Sequence, residues 1–184
     1  MTVDYICREV ERLKHKYGED NPFCLANAMG IFVILEPMGT KPEGCKGFFL
    51  AQCRKKTITV NSDLPDSLRR IICIHEIGHA VLHAKQTGVC AFHDFSLFDG
   101  TSRAEYEANL FAAQYTLEDD IVLEMLNEDC FFFAAAARLR VPPELLDFKF
   151  RILKCKGYKL ESPFMADSCF LKNVQVPNDD SNEC

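Results

Sequence analysis

Residues 68–83 read LRRIICIHEIGHAVLH, and this stretch decides the fold. Its apolar residues point to nearly every side of a helix, which is typical of a helix buried all round. Asp66 precedes the run as a candidate cap, so the sequence predicts a long buried helix here. His75, Glu76 and His79 interrupt the apolar surface with polar side chains that are costly to bury unless something satisfies them.

The three polar residues form an HExxH motif, a pattern that suits a zinc ion. His75 and His79 differ by about 40° around the helix, so both imidazoles reach one ion without bending the backbone. Glu76 lies about 100° from His75, beside the ion, where its carboxylate can accept a proton from water. Gly78 costs about 1 kcal/mol relative to Ala inside a helix and indicates that another element approaches closely.

A catalytic zinc site usually takes a third protein ligand, which must come from another part of this chain. The best source is the predicted helical stretch 103–113, which is rich in small residues and carries Glu105 and Glu107. These two carboxylates are about 200° apart around the axis, so only one of them can face the ion. Glu105 is preferred because it shares its face with Ala108 and Ala112, whose small side chains allow another helix to approach. Glu107 remains the alternative.

Two further polar residues belong to the predicted site. Asn109, one turn after Glu105, falls on the same side and is a candidate to hold a ligating His by a hydrogen bond. His83, about 40° further round the helix than His79, is a candidate catalytic residue that donates to the oxyanion of the tetrahedral intermediate. A His at this point also commonly packs against or caps the helix end, and that alternative stays open.

The rest of the chain predicts an α+β fold with a helical C-terminal half. Residues 3–17 and the stretch from Asn21 to about Gly30 have the features of helices. Short β-prone runs predict a small antiparallel sheet that packs with the buried HExxH helix, and these runs are Ile31–Leu35, Gly47–Ala51 and Thr57–Val60. A loop is predicted over 84–101, followed by helices over 102–116, 118–127, 130–139 and 143–156. Thr57–Asn61 is the predicted edge strand on which an extended peptide would pair.

The composition bounds the domain organisation and the partners. The chain has 184 residues and 48% hydrophobic content, which predicts one domain over 1–158 and a weakly ordered acidic tail over 159–184. No run approaches the roughly 20 apolar residues of a membrane span. Residues 1–20 lack the apolar core of a secretory signal, and the ten cysteines form no CxxC pair, so we expect a cytoplasmic protein with reduced thiols. The net charge of −6 disfavours direct nucleic acid binding.

The paired motifs at 75–83 and 105–113 resemble a known family. HExxHxxLH followed by ExEANxFAA is similar to the ImmA/IrrE family of metallo-endopeptidases, which are zincins with a glutamate as third ligand. The resemblance implies a zincin-like domain in which His75, His79 and Glu105 hold Zn²⁺ and Glu76 is the catalytic base. It also implies limited cleavage of a helix-turn-helix transcriptional repressor that belongs to a phage, a mobile element or a stress response.

Other functions remain open at this point. The domain could bind zinc and a repressor with little proteolysis, as a regulatory or toxin–antitoxin module. The run Glu43-Gly44-Cys45 before HExxH is also found in peptide deformylases, where the cysteine binds the metal, and Cys90 with His93 is a weak second zinc pair. Residues 131–155 could form a DNA-binding helix pair, although structural packing is the preferred interpretation of this segment.

Overall fold

The computed structural model describes residues 1–41, 44–52, 55–83, 90–91, 101–127, 131–163, 166 and 171. In this part of the chain, seven helices accompany one four-stranded sheet. The helices are α1 Val3–Tyr17, α2 Pro22–Ala28, α3 Asp66–Leu82, α4 Thr101–Thr116, α5 Asp119–Asn127, α6 Phe132–Leu139 and α7 Pro143–Cys155. The strands are β1 Ile31–Glu36, β2 Gly47–Gln52, β3 Lys55–Asn61 and β4 Cys90–Ala91. The predicted α+β class with a helical C-terminal half is confirmed.

The sheet is mixed rather than wholly antiparallel. Its strand order is β1-β3-β2-β4, in which β2 runs antiparallel to both β3 and β4 whereas β1 runs parallel to β3. The chain between β1 and β2 crosses the end of β3, and there the fully buried Asn61 accepts from the amide of Met38 and donates to the carbonyl oxygens of Gly39 and Cys45. Because of this crossing, β1 lies on the side of β3 that is away from β2. The pattern of apolar residues in the sequence does not predict this arrangement.

The predicted edge strand Thr57–Asn61 is wrong. These residues belong to β3, which pairs with β1 on one side and with β2 on the other. Its backbone groups are therefore used within the sheet and are not open to a peptide. Within the described residues, the sheet ends at β1 and at β4.

The motif helix α3 is buried as the sequence predicts. Most of its length is buried, including His75, Glu76 and His79. The sheet packs directly on it, because a Cβ at Gly47 of β2 would lie 2.5 Å from the Cγ2 atom of Ile72. The predicted cap is wrong, since Asp66 makes no capping hydrogen bond and instead pairs with two arginines of the first helical turns.

Helices α3 and α4 approach each other most closely at Gly78. A Cβ at this position would lie 3.3 Å from the Cα atom of Ala108 and 3.3 Å from two side-chain atoms of Phe111. This confirms the sequence prediction that Gly78 marks a close contact. The crossing lies one residue before His79, so it sets the distance between the two helices where the candidate ligands stand.

Enlarging residue 78 is expected to separate the two helices. Gly78→Val adds three carbons at a contact that is already tight, and overpacking of this kind costs about 1–3 kcal/mol. Urea unfolding of the variant should show that loss. Ser67→Val, at an exposed position of the same helix, is the control for a β-branched side chain and should change stability by less than about 0.5 kcal/mol. Equal losses in both variants would contradict the close crossing.

Helix α7, the last helix given bounds in the described part of the chain, forms part of the core. Eight of its 13 residues are buried, so most of its surface packs inside the protein, which agrees with the preferred interpretation of this segment as structural packing. Lys149 is fully buried, and its ammonium donates to Gln114 Oε1 at 2.9 Å and to Asp119 Oδ1 at 2.5 Å. The sequence alone does not predict this burial, because a Lys in a helix is normally solvated. It suggests only that the positive charge is favourable near the end of the helix.

Removing the buried ammonium is expected to weaken the packing of α7 on α4. Lys149→Met keeps most of the side-chain volume but removes the donor that Gln114 and Asp119 share, and hydrogen bonds to charged groups contribute about 1.5–3 kcal/mol. Asp119 retains Lys156, so we expect a loss of about 2 kcal/mol in urea unfolding. Lys154→Met, at an exposed position of the same helix, should leave stability nearly unchanged.

Some predictions fall partly or wholly outside the described residues. Nearly all of the predicted loop over 84–101 and most of the tail over 159–184 lie there. The domain boundary near 158 therefore stays a prediction. Ala166, beyond that boundary, donates its amide to Asp147 Oδ2 at 3.0 Å and accepts from Arg151 at 2.7 Å, so this residue is bound to α7. Among the described helices, none has the length and apolar character needed to cross a membrane.

Candidate metal centre

Three side chains from two helices converge on one point. The Nε2 atoms of His75 and His79 on α3 are 3.0 Å apart. Glu105 on α4 places Oε2 at 3.2 Å from His75 Nε2 and Oε1 at 3.4 Å from His79 Nε2. In the part of the chain that the structure describes, these residues form the one cluster of three potential metal-binding side chains.

The spacing of the three donors fits a small tetrahedral ion. Ligand atoms at the usual zinc distances of about 2.0–2.1 Å lie about 3.3 Å from one another when the ion is tetrahedral. The two imidazole nitrogens are 3.0 Å apart, and each lies 3.2 or 3.4 Å from a different carboxylate oxygen of Glu105, so the closest distances are near this value. Two imidazoles and one carboxylate also form a donor set that leaves a fourth position open, as catalytic zinc sites do.

The electrostatics of the cluster favour a cation. Burial alone would raise the pKa of Glu105, but hydrogen bonds from the two His rings outweigh it and lower that pKa well below its usual range. Burial lowers the pKa of His79 to about 4. Burial also acts to lower the pKa of His75, yet its hydrogen bond to Glu105 prevails and raises it. A metal ion at this point would take the place of the proton in the hydrogen bond between His75 and Glu105. Metal binding requires a neutral imidazole and an ionised carboxylate.

Glu76 lies beside this cluster. It follows His75 on α3, its side chain is buried, and its charge contributes to the raised pKa of His75. The three converging donors do not include Glu76. This is the place that the motif predicts for a proton acceptor next to a metal.

Asn109 makes the predicted contact with a histidine of the cluster. Its side chain is fully buried, and a hydrogen bond between Asn109 and His75 helps to raise the pKa of that ring. Because an outer partner of this kind fixes the orientation of an imidazole, Asn109 supports the direction in which His75 presents its Nε2 atom.

The structure separates the two candidate carboxylates. Glu105 meets His75 and His79, whereas Glu107 turns to His83, with Oε2 at 3.8 Å from the Nε2 atom of that ring. Glu107 is nearly buried and also contacts Arg103 and the amino group of Met1. Sequence reasoning missed its burial. The sequence feature that could have predicted this burial is His83, the third histidine of HExxHxxLH. It lies one turn beyond His79 and needs a partner of its own.

Other predicted metal ligands are not part of the cluster. Cys45 is exposed, and its thiol contacts the carbonyl oxygen of Gly47, so the arrangement of a peptide deformylase is not present. His93, proposed as a partner of Cys90, lies outside the described residues.

Comparison with known proteins gives the chain a family. The model of the IrrE N-terminal-like domain, Peptidase_M78, matches residues 26–151, a range that contains both helices of the cluster. The chain is also 35% identical over 140 residues to the "Uncharacterized immunity region protein 2" of Bacillus phage phi105, which covers 76% of this chain and 85% of the relative. No solved structure gives a significant match. The similarity to ImmA/IrrE proteins is thereby confirmed: the chain belongs to the Peptidase_M78 family of IrrE N-terminal-like domains and is a hydrolase of the metallopeptidase type.

Proposed function

We propose that this protein is a zinc-dependent endopeptidase that makes a limited cleavage in a cytoplasmic helix-turn-helix repressor of a phage or mobile element. One observation carries the proposal: two imidazoles and a carboxylate converge within 3.4 Å of one another beside the buried Glu76. The membership of a metallopeptidase family supports the same reaction class.

His75, His79 and Glu105 would hold the ion. Zinc is proposed because this donor set and spacing are those of catalytic zinc, and a bound zinc would polarise the scissile carbonyl and lower the pKa of water. Asn109 keeps the His75 ring in position from the outside. The close crossing at Gly78 keeps α4, and with it Glu105, within reach of α3.

Glu76 would move the proton. As general base it accepts a proton from the attacking water at its carboxylate while the new C–O bond forms. The protonated Glu76 then donates that proton to the amide nitrogen as the C–N bond breaks, so that the amine leaves neutral. Burial of Glu76 and of the His pair limits the access of bulk water, which keeps this proton within the site.

A repressor is the proposed substrate for two reasons. The phage relative is named as an immunity region protein, and the immunity of a cell that carries a phage depends on a repressor. The net charge of −6 is unfavourable for contact with DNA. A DNA-binding protein is therefore a better candidate partner than DNA itself.

The test is direct cleavage of a purified repressor. The protein, loaded with one equivalent of zinc, is incubated with any helix-turn-helix repressor found to be encoded beside it, and mass spectrometry identifies any new N-terminus. We expect one cut, which a chelator abolishes and added zinc restores. Tight binding of the repressor without cleavage would overturn the peptidase proposal in favour of a regulatory or toxin–antitoxin module.

A further inference from the structure

His83 connects the two helices that carry the metal-site residues. It is the C-cap residue of α3, where its amide donates to the carbonyl oxygen of His79 at 3.0 Å. Its side chain is almost fully buried, and its ring lies 5.6 Å from the ring of His79. The backbone of His83 is thus bound to one candidate ligand, and its ring reaches across to α4.

The ring of His83 makes its contacts on both sides of Glu105. It donates a hydrogen bond to the backbone carbonyl of Ala104. Its Nε2 atom lies 3.8 Å from Oε2 of Glu107, which is close but longer than a hydrogen bond. The residue before the candidate ligand is therefore hydrogen-bonded to this imidazole, and the residue two positions after it lies next to the same ring.

The beginning of α4 is where such a contact matters. Glu105 is the fifth residue of a helix that begins at Thr101, and the amides of the four residues before it have no partner within the helix. Helix ends fray more readily than helix centres. A side chain from α3 that binds this turn keeps Glu105 at the distance from His75 and His79 that an ion needs.

We propose that His83 is a positioning residue that fixes the first turns of α4 and so holds Glu105 at the metal site. This inference rests on the proposed function for the identity of the ion. It assigns His83 a role through Glu105, in place of the predicted donation of a hydrogen bond to the oxyanion.

The test measures zinc affinity, with no substrate present. Wild type, His83→Phe, His83→Asn and His83→Gln compete with a chromophoric chelator for zinc. Loss of an outer-shell partner typically weakens metal binding by about 10- to 100-fold, and we expect that loss for His83→Phe. His83→Leu replaces it if the Phe variant does not fold. Each amide variant keeps an N–H donor, and we expect at least one to recover most of the affinity. His15→Phe, at an exposed histidine of α1, is the matched control and should bind as wild type does.

A second measurement locates the effect. Amide hydrogen exchange of the metal-free protein should be at least about tenfold faster at residues 104–107 in His83→Phe, whereas α7 keeps its protection. Unchanged zinc affinity in the apolar variants, or recovery by neither amide, would overturn the inference. A fall in kcat with unchanged zinc affinity would do so as well, in favour of the oxyanion role. If the wild type itself binds no zinc, the proposed function fails; if it binds zinc but cleaves no repressor, only the proposed activity fails.

Discussion

Glu76→Gln is expected to reduce the rate of repressor cleavage by about 10²- to 10⁴-fold, the usual contribution of a general base, while the protein keeps its zinc. Glutamine has nearly the same shape as glutamate but cannot accept the proton of the attacking water. The metal should stay because Glu76 is not one of the three converging donors. Single-turnover cleavage and elemental analysis of the same sample measure the two effects together.

A matched substitution separates this effect from a general change in charge. Glu124→Gln removes one carboxylate from an exposed position of α5 and should leave both the rate and the zinc content at wild-type levels. If Glu76→Gln cleaved at the wild-type rate, another group would be the base. If it lost its zinc, Glu76 would be a ligand, and the assignment of the metal site would change.

Glu105→Ala is expected to weaken zinc binding by more than the about 10- to 100-fold typical of an outer-shell partner. The substitution removes one of three donors and leaves two buried imidazoles to hold the ion alone. Cleavage should fall in parallel, because the ion is no longer retained. Competition with a chelator gives the affinity, and elemental analysis gives the zinc content of the protein as purified.

Glu107→Gln is the comparison that makes this result specific. Glu107 is also a nearly buried glutamate of α4, and its glutamine variant keeps an oxygen for His83. We expect its zinc affinity to stay within about tenfold of wild type. Loss of zinc in Glu107→Gln with retention in Glu105→Ala would reverse the choice of ligand.

The sequence predicts the parts of this structure that depend on local pattern. Helix α3 has an apolar period that runs round its whole circumference, and only a buried helix suits such a pattern. The convergence of His75 with His79 follows from their spacing alone. The choice of Glu105 over Glu107 depends on the small residues of α4, which also make the close crossing at Gly78 possible.

The features that sequence reasoning missed depend on contacts between distant parts of the chain. The direction of β1 is set where the chain crosses the end of β3 and is held by Asn61, and strand patterning does not report that path. Lys149 is buried because Gln114 and Asp119 meet it from another helix and from the start of α5. Glu107 is buried because His83 faces it across the helix pair.

The glycine at the crossing of α3 and α4 limits how the candidate metal site can be redesigned. Because the contact at Gly78 is already tight, a larger residue there is expected to widen the gap and to move Glu105 away from the two imidazoles. An engineer who wants to admit a bulkier peptide would do better to alter side chains away from this contact. Altered specificity is thus best sought on other elements, with residues 78 and 108 kept constant in any library.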